Sequence, residues 1–110
     1  MEKVFVNIRI AGDGIISPEE LPSLVETVRE RVGECGEKVV IIGGRLPVWA
    51  YGALVHLFHP TRGVGTFEPR VGKGVCVMSH TPELKVGSLI EIEEAEVVEV
   101  EYTPQHAHAQ

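Results

Sequence analysis

From Lys3 to Ile10 the chain alternates, with Val4, Val6, Ile8 and Ile10 on one side and Phe5, Asn7 and Arg9 on the other. A period of two predicts a strand with two unlike faces. Ala11-Gly12-Asp13-Gly14 reads as a turn. Ser17-Pro18-Glu19-Glu20 then opens a helix: Ser17 is a capping residue, Pro18 suits the first helical position and Glu20 completes a capping box. Leu21, Leu24, Val25, Val28 and Val32 recur at helical spacing, so this helix buries one stripe. Gly33 and Gly36 end it.

Lys38 to Ile42 is a short apolar run, the mark of a central strand. It leads through Gly43-Gly44-Arg45-Leu46-Pro47 into a second helix, from about Val48 to Phe58, closed by Pro60. Apolar residues surround that helix, which predicts deep burial. Arg62 to Phe67 is a strand whose Gly63 and Gly65 leave one face nearly bare. Val71-Gly72-Lys73-Gly74 turns the chain back into a strand from Val75 to Ser79. Pairing of 62–68 with 73–79 as a hairpin returns Ser79-His80 to the edge near Arg62. Thr81 to Gly87 is a loop. Leu89 to Tyr102 alternates again, with glutamates between apolar positions, as a strand or strand pair. Its change of phase between Ala95 and Val98 predicts a bulge. Thr103 to Gln110 is a polar tail expected to fray. The order β-α-β-α-β-β-β predicts a single α/β domain over residues 1–102, a mixed sheet with two helices, followed by the 103–110 tail.

The 110 residues suit one core, and 44% hydrophobic content is enough to fold it. A net charge of −6 argues against a broad basic surface for nucleic acid. The charge is uneven. Residues 44–82 carry Arg45, Arg62, Arg70 and Lys73 against Glu68, a local +3, whereas residues 83–110 carry −6. A basic island in an acidic protein suits a compact anionic ligand. Cys35 and Cys76 have no metal-ligand spacing, and no apolar run approaches the roughly 20 residues of a membrane span. The expectation is a cytoplasmic protein without membrane attachment.

Candidate chemistry concentrates between Gly43 and His80. Gly43-Gly44-Arg45 follows a buried strand and precedes a helix, where α/β sheets bind ligands. Helix-start N–H groups and Arg45 are suited to phosphate, but the spacing matches neither the dinucleotide nor the Walker pattern, and for the motif alone an ordinary turn needing glycine is the favoured reading. His56 and His59, three apart, read as an acid/base pair or partial metal ligands, or as a solvated helix end. Glu68-Pro69-Arg70 sets an acid and a base around a rigid residue. Glu68 is suited to orienting a histidine or binding a divalent ion, and Arg70 to holding phosphate; the plain alternative is a surface ion pair. Ser79-His80 ends a strand, and Trp49, the only tryptophan, is either core, interface or a stacking surface for adenine. His106 and His108 have no assigned role.

Taken in order, Gly44-Arg45-Leu46-Pro47-Val48-Trp49, His56-x-x-His59, Glu68-Pro69-Arg70-Val71-Gly72 and Ser79-His80 resemble the third family of type III CRISPR-associated ring nucleases. The likeness covers most of residues 38–92. It implies a CRISPR-associated Rossmann-like domain in a small stand-alone protein that forms a homodimer. Two dimers would sandwich cyclic tetra-adenylate and cut it to linear adenylates in a manganese-dependent reaction, ending an antiviral signal. The resemblance also implies activity on short single-stranded RNA as a 3′ exonuclease. A non-catalytic ring-binding protein is the alternative from another class. By the same resemblance His59 leads the catalytic set, with His56, Arg70, Glu68 and His80 as companions, and Gly44, Arg45, Leu46, Pro47 and Trp49 bind the substrate. No metal ligand is assigned. The family typically has aspartate where Glu68 stands, and the added methylene moves the carboxylate by more than ~1 Å. The expectation is that Arg45, His59 and Arg70 gather at the sheet edges and meet the phosphates across a subunit boundary.

Overall fold

The computed structural model describes residues 1–105. The elements are β1 (Lys3–Ile10), a short 3-10 turn (Pro18–Glu20), α1 (Leu21–Val32), β2 (Val39–Gly43), α2 (Val48–Leu57), β3 (Gly63–Glu68), β4 (Lys73–Ser79), β5 (Leu89–Ile90) and β6 (Glu96–Tyr102). They form one mixed six-stranded sheet in the order β5-β4-β3-β2-β1-β6. β1 is parallel to both β2 and β6, and β2 is parallel to β3. β4 runs antiparallel to β3, and β5 antiparallel to β4. The expected α/β domain with a mixed sheet and two helices is the fold observed.

The two helical crossovers, β1-α1-β2 and β2-α2-β3, step across the sheet in the same direction. Right-handed crossovers therefore put both helices on one face. There Leu24 and Val28 of α1 and Ala50 and Leu54 of α2 share a core with Val4, Val6, Ile8, Val40, Ile42, Val64, Val98 and Val100. The alternate residues of β2, Val39 and Ile41, enter a second, smaller core on the opposite face with Cys76, Leu84 and Ile90. This two-sided burial is why β2 reads as an unbroken apolar run, and all five of its residues are buried.

The bare face of β3 has a physical reason. A Cβ on Gly65 would lie 2.8 Å from Ile90 Cδ1, and one on Gly63 would lie 3.0 Å from Leu84 Cδ2. The segment after β4 folds back over the sheet and fills the space these glycines leave.

Three expectations need correction. Helix α2 is not deeply buried: Ala50 and Leu54 are enclosed, but Val48 is 83% and Trp49 37% exposed. The sheet and α1 cover only one side of it. The phase change near Ala95 is not a bulge. It marks a chain crossing, because β5 and β6 lie at opposite edges of the sheet. Between them, Glu91 accepts a hydrogen bond from Lys3 Nζ at 2.6 Å through its carbonyl, and Ile92 packs on the second core. Finally, the chain stays anchored past Tyr102. Pro104 is fully buried, and the Gln105 N–H donates to the Glu20 carboxylate. Residues 106–110, including His106 and His108, lie outside the described residues. Among the described residues no helix is long and apolar enough to cross a membrane.

Candidate functional site

The candidate residues occupy two ends of the sheet. The first lies beyond the C-terminal ends of the parallel strands. Gly44, just after β2, has φ +129°, and a Cβ there would lie 2.1 Å from the Ile8 carbonyl oxygen. Only glycine fits so close to β1, so this residue has a structural duty whatever else it does. The Tyr51 hydroxyl donates to the Gly44 carbonyl at 2.5 Å and ties α2 to the loop. Burial raises the Tyr51 phenol above its ordinary pKa, which keeps that proton in place. No side chain caps the start of α2, which leaves its first N–H groups for solvent or an anion.

Beside this loop is an open cavity of about 800 Å3 whose lining includes Phe5, Asn7, Arg45, Tyr51, Thr66 and Phe67. A second cavity of about 500 Å3 adjoins it, and Asn7, Gly44 and Arg45 line both. The Gly12-Asp13-Gly14 loop, Arg9 and Glu99 are also in the lining of the second. Arg45 is exposed. Among the described residues every ion pair involves other cations: Arg9 with Glu101, Arg29 with Glu26, Lys38 with Glu96, Arg70 with Glu68 and Lys73 with Glu91. Arg45 therefore presents an unpaired guanidinium on the ridge between two cavities. Of the other predicted ligand-binding residues, Leu46 lines the larger cavity, Pro47 caps α2, and Trp49 lies on the outer side of the first turn of α2.

Glu68 and Arg70 stand at this same end, and they hold each other. The Arg70 guanidinium donates through Nε at 2.8 Å and Nη2 at 3.1 Å to the two Glu68 oxygens, and its backbone N–H adds a bond of 3.0 Å. These bonds pull the Glu68 carboxyl down to about 2, and Arg70 is raised in turn. Glu68 is therefore ionised near neutrality and unsuited to giving up a proton. It fixes the direction of Arg70.

The histidines are at the other end. β3 pairs Gly63 with Ser79 and Glu68 with Lys73, so its two ends are well apart. Five steps of about 3.3 Å separate them by roughly 16 Å. α2 runs opposite to the parallel strands and carries His56 and His59 back to their N-terminal edge. Thr61, buried in the following turn, donates to the Phe58 carbonyl at 2.6 Å and fixes the exit from α2. The His80 N–H donates to the Arg62 carbonyl at 2.9 Å, as the hairpin reading expected. The Ser79 hydroxyl bonds the Thr81 carbonyl at 2.9 Å and shapes the strand end. The His59 and His80 rings then meet edge to face, 4.8 Å between centres. Both are exposed, as is His56 in the last turn of α2.

One chain thus assembles an arginine end and a histidine end, not one cluster of Arg45, Arg70 and His59. The geometry also brings in residues not singled out from sequence: Phe5, Asn7, Arg9, Gly12–Gly14 and Phe67 at the arginine end. The alternation of β1 signalled the first three, since they had to face something across the sheet. The place of the Phe5 ring depended on Gly43 in the neighbouring strand, where a Cβ would lie 2.8 Å from it. Among the described residues no group of three His, Cys, Asp or Glu side chains could hold a metal ion. The described side chains of a single chain therefore offer no three-ligand set for a manganese ion.

The family model for CRISPR-associated protein (Cas_csx3) matches residues 9–91. The chain belongs to that family. The matched span includes every residue of Gly44–Trp49, His56, His59, Glu68, Arg70 and His80, so both ends fall inside the family's shared region. An uncharacterized protein of Aquifex aeolicus (strain VF5) is 50% identical over 54 residues, which cover 49% of this chain and 49% of that protein. The chain thus spans about half the length of this curated relative.

Proposed function

We propose that this CRISPR-associated protein is a ring nuclease, a phosphodiesterase that opens cyclic tetra-adenylate and releases linear adenylates. The edge-to-face pair of His59 and His80 carries the proposal. Two imidazoles from elements 21 residues apart are held together in solvent, with no core role to explain them. Histidine is the side chain whose ordinary pKa lets it both accept and donate a proton near neutrality. One imidazole takes the proton of the oxygen that attacks phosphorus. The other protonates the departing 5′ oxygen as the P–O bond breaks. A guanidinium offsets the charge that builds on the phosphoryl oxygens.

That guanidinium comes from another copy of the chain. Arg45 and the clasped Arg70 are about a strand length from the histidines of their own chain. Stacking copies end to end sets the arginine end of one against the histidine end of the next, with the ring of phosphates between. A symmetric ring suits a symmetric assembly, and a dimer pairing into a tetramer around the ligand repeats each contact.

Incubation of the purified protein with cyclic tetra-adenylate and manganese tests the proposal. Linear adenylates are expected. Intact but bound ring would leave a binding protein in place of an enzyme. Faster consumption of a linear oligoadenylate from its 3′ end would make the protein an RNA exonuclease.

A further inference from the structure

The cavity beside Arg45 has a chemistry that phosphate does not account for. Phe5 and Phe67 are half-buried, with ring centres 5.3 Å apart and planes tilted by 46°. They form an apolar wall, to which Thr66 and Asn7 add polar groups. Arg45 stands at its rim. An aromatic wall next to an unpaired guanidinium fits a nucleotide: base against the rings, phosphate on the arginine.

Asn7 is the one side-chain amide lining this space, and its orientation is fixed. Its Nδ2 donates to Glu99 Oε1 at 3.1 Å, across from it in β6. A carboxylate accepts and cannot donate, so the amide nitrogen must face Glu99. The carbonyl Oδ1 is then the atom turned away from Glu99, and no hydrogen bond engages it among the described residues. Resting on the adenylate reading above, we infer that this cavity is a base subsite in which Asn7, oriented by Glu99, selects a 6-amino purine over a 6-keto purine. Oδ1 accepts from an exocyclic amine. A keto oxygen in the same place meets it lone pair to lone pair. Glu99 is a positioning residue: it denies Asn7 the flip that would present a donor instead.

Equilibrium binding of two linear probes, tetra-adenylate and tetra-inosinate, tests this. They differ at the 6-position and leave catalysis aside. The wild-type protein is expected to bind the adenylate about tenfold or more tightly than the inosinate. Asn7→Ala and Glu99→Gln should each bring the ratio close to one. Arg45→Ala should weaken both probes alike and keep the ratio, since phosphate carries no base identity. A thermal melt of each variant verifies folding. Equal wild-type affinity for the two probes removes Asn7 as a selector and leaves the adenylate reading standing, as does an unchanged ratio in folded Asn7→Ala. Failure of folded wild-type protein to bind either linear probe removes the subsite; the adenylate reading falls with it only if cyclic tetra-adenylate also fails to bind.

Discussion

The imidazoles of His59 and His80 meet edge to face at 4.8 Å, with their planes at 89°. One ring follows α2 and the other follows β4, and neither supports the core. Removing a ring should therefore cost chemistry and not stability. His59→Ala is expected to change unfolding free energy by less than ~0.5 kcal/mol. It should lower the single-turnover rate on cyclic tetra-adenylate by about a hundredfold or more. Ring affinity should remain. Chemical denaturation, rapid-quench kinetics and equilibrium binding measure the three quantities, and a full retained rate would take His59 out of the mechanism.

The clasp of Glu68 by Arg70 has a readable pH signature. The carboxyl is lowered from its ordinary 4.5 to about 2 in the folded chain. A lowered acid contributes stability that is fully present above the unfolded range and is lost as pH falls from there through the folded value. The stability the clasp adds should therefore be complete at pH 5 and decline between about 4.5 and 2, while the clasp itself opens only around 2. Carbon-detected NMR of the Glu68 carboxyl should show a midpoint near 2. In Arg70→Gln it should move back toward 4.5.

The loop after β2 should resist even small changes. A methyl at Gly44 would strike the Ile8 carbonyl and force a side chain into φ +129°. Gly44→Ala is expected to destabilise the fold by about 3 kcal/mol. Tyr51→Phe removes a single hydrogen bond to the same carbonyl-bearing residue and should cost about 1 kcal/mol. Denaturant titrations of the two variants give both numbers and their order. An Ala variant as stable as the parent would mean the loop can move off β1.

Cys35 and Cys76 are both free and buried, and burial raises each thiol above its ordinary pKa. A thiol held protonated is a poor nucleophile. Disulfide reagents at neutral pH should modify neither quickly until denaturant is added. Fast labelling of Cys76 in the native protein would show that the Leu84–Ile90 cover over the second core opens readily.

Much of the scaffold is written in local pattern. The alternation of β1, the stripe of α1 and the unbroken run of β2 each follow from which faces are buried, and the residues declare it. The Gly63 and Gly65 gap was visible too, but its filling was not. Ile90 and Leu84 reach those glycines from more than 20 residues away, and nothing local ties them together. The same limit hid the crossing at Ala95. A chain leaving one sheet edge and entering the other changes phase just as a bulge does. For α2, apolar composition suggested burial, whereas the position of α2 on one face of the sheet leaves Val48 and Trp49 open. Motif order along the chain grouped Arg45, Arg70 and His59. Strand direction separates them, because β2 and β3 end where α2 begins and α2 ends where β3 begins.

That separation gives the central claim its sharpest test: whether one reaction centre is built from two copies. Arg45→Ala and His59→Ala, each purified alone, should be folded and inactive on cyclic tetra-adenylate. Co-expressed in one cell and purified together, they form junctions that join an intact arginine end to an intact histidine end. Random pairing should then restore roughly a quarter of the wild-type rate. A co-purified mixture as inactive as its parts would contradict a site shared between copies.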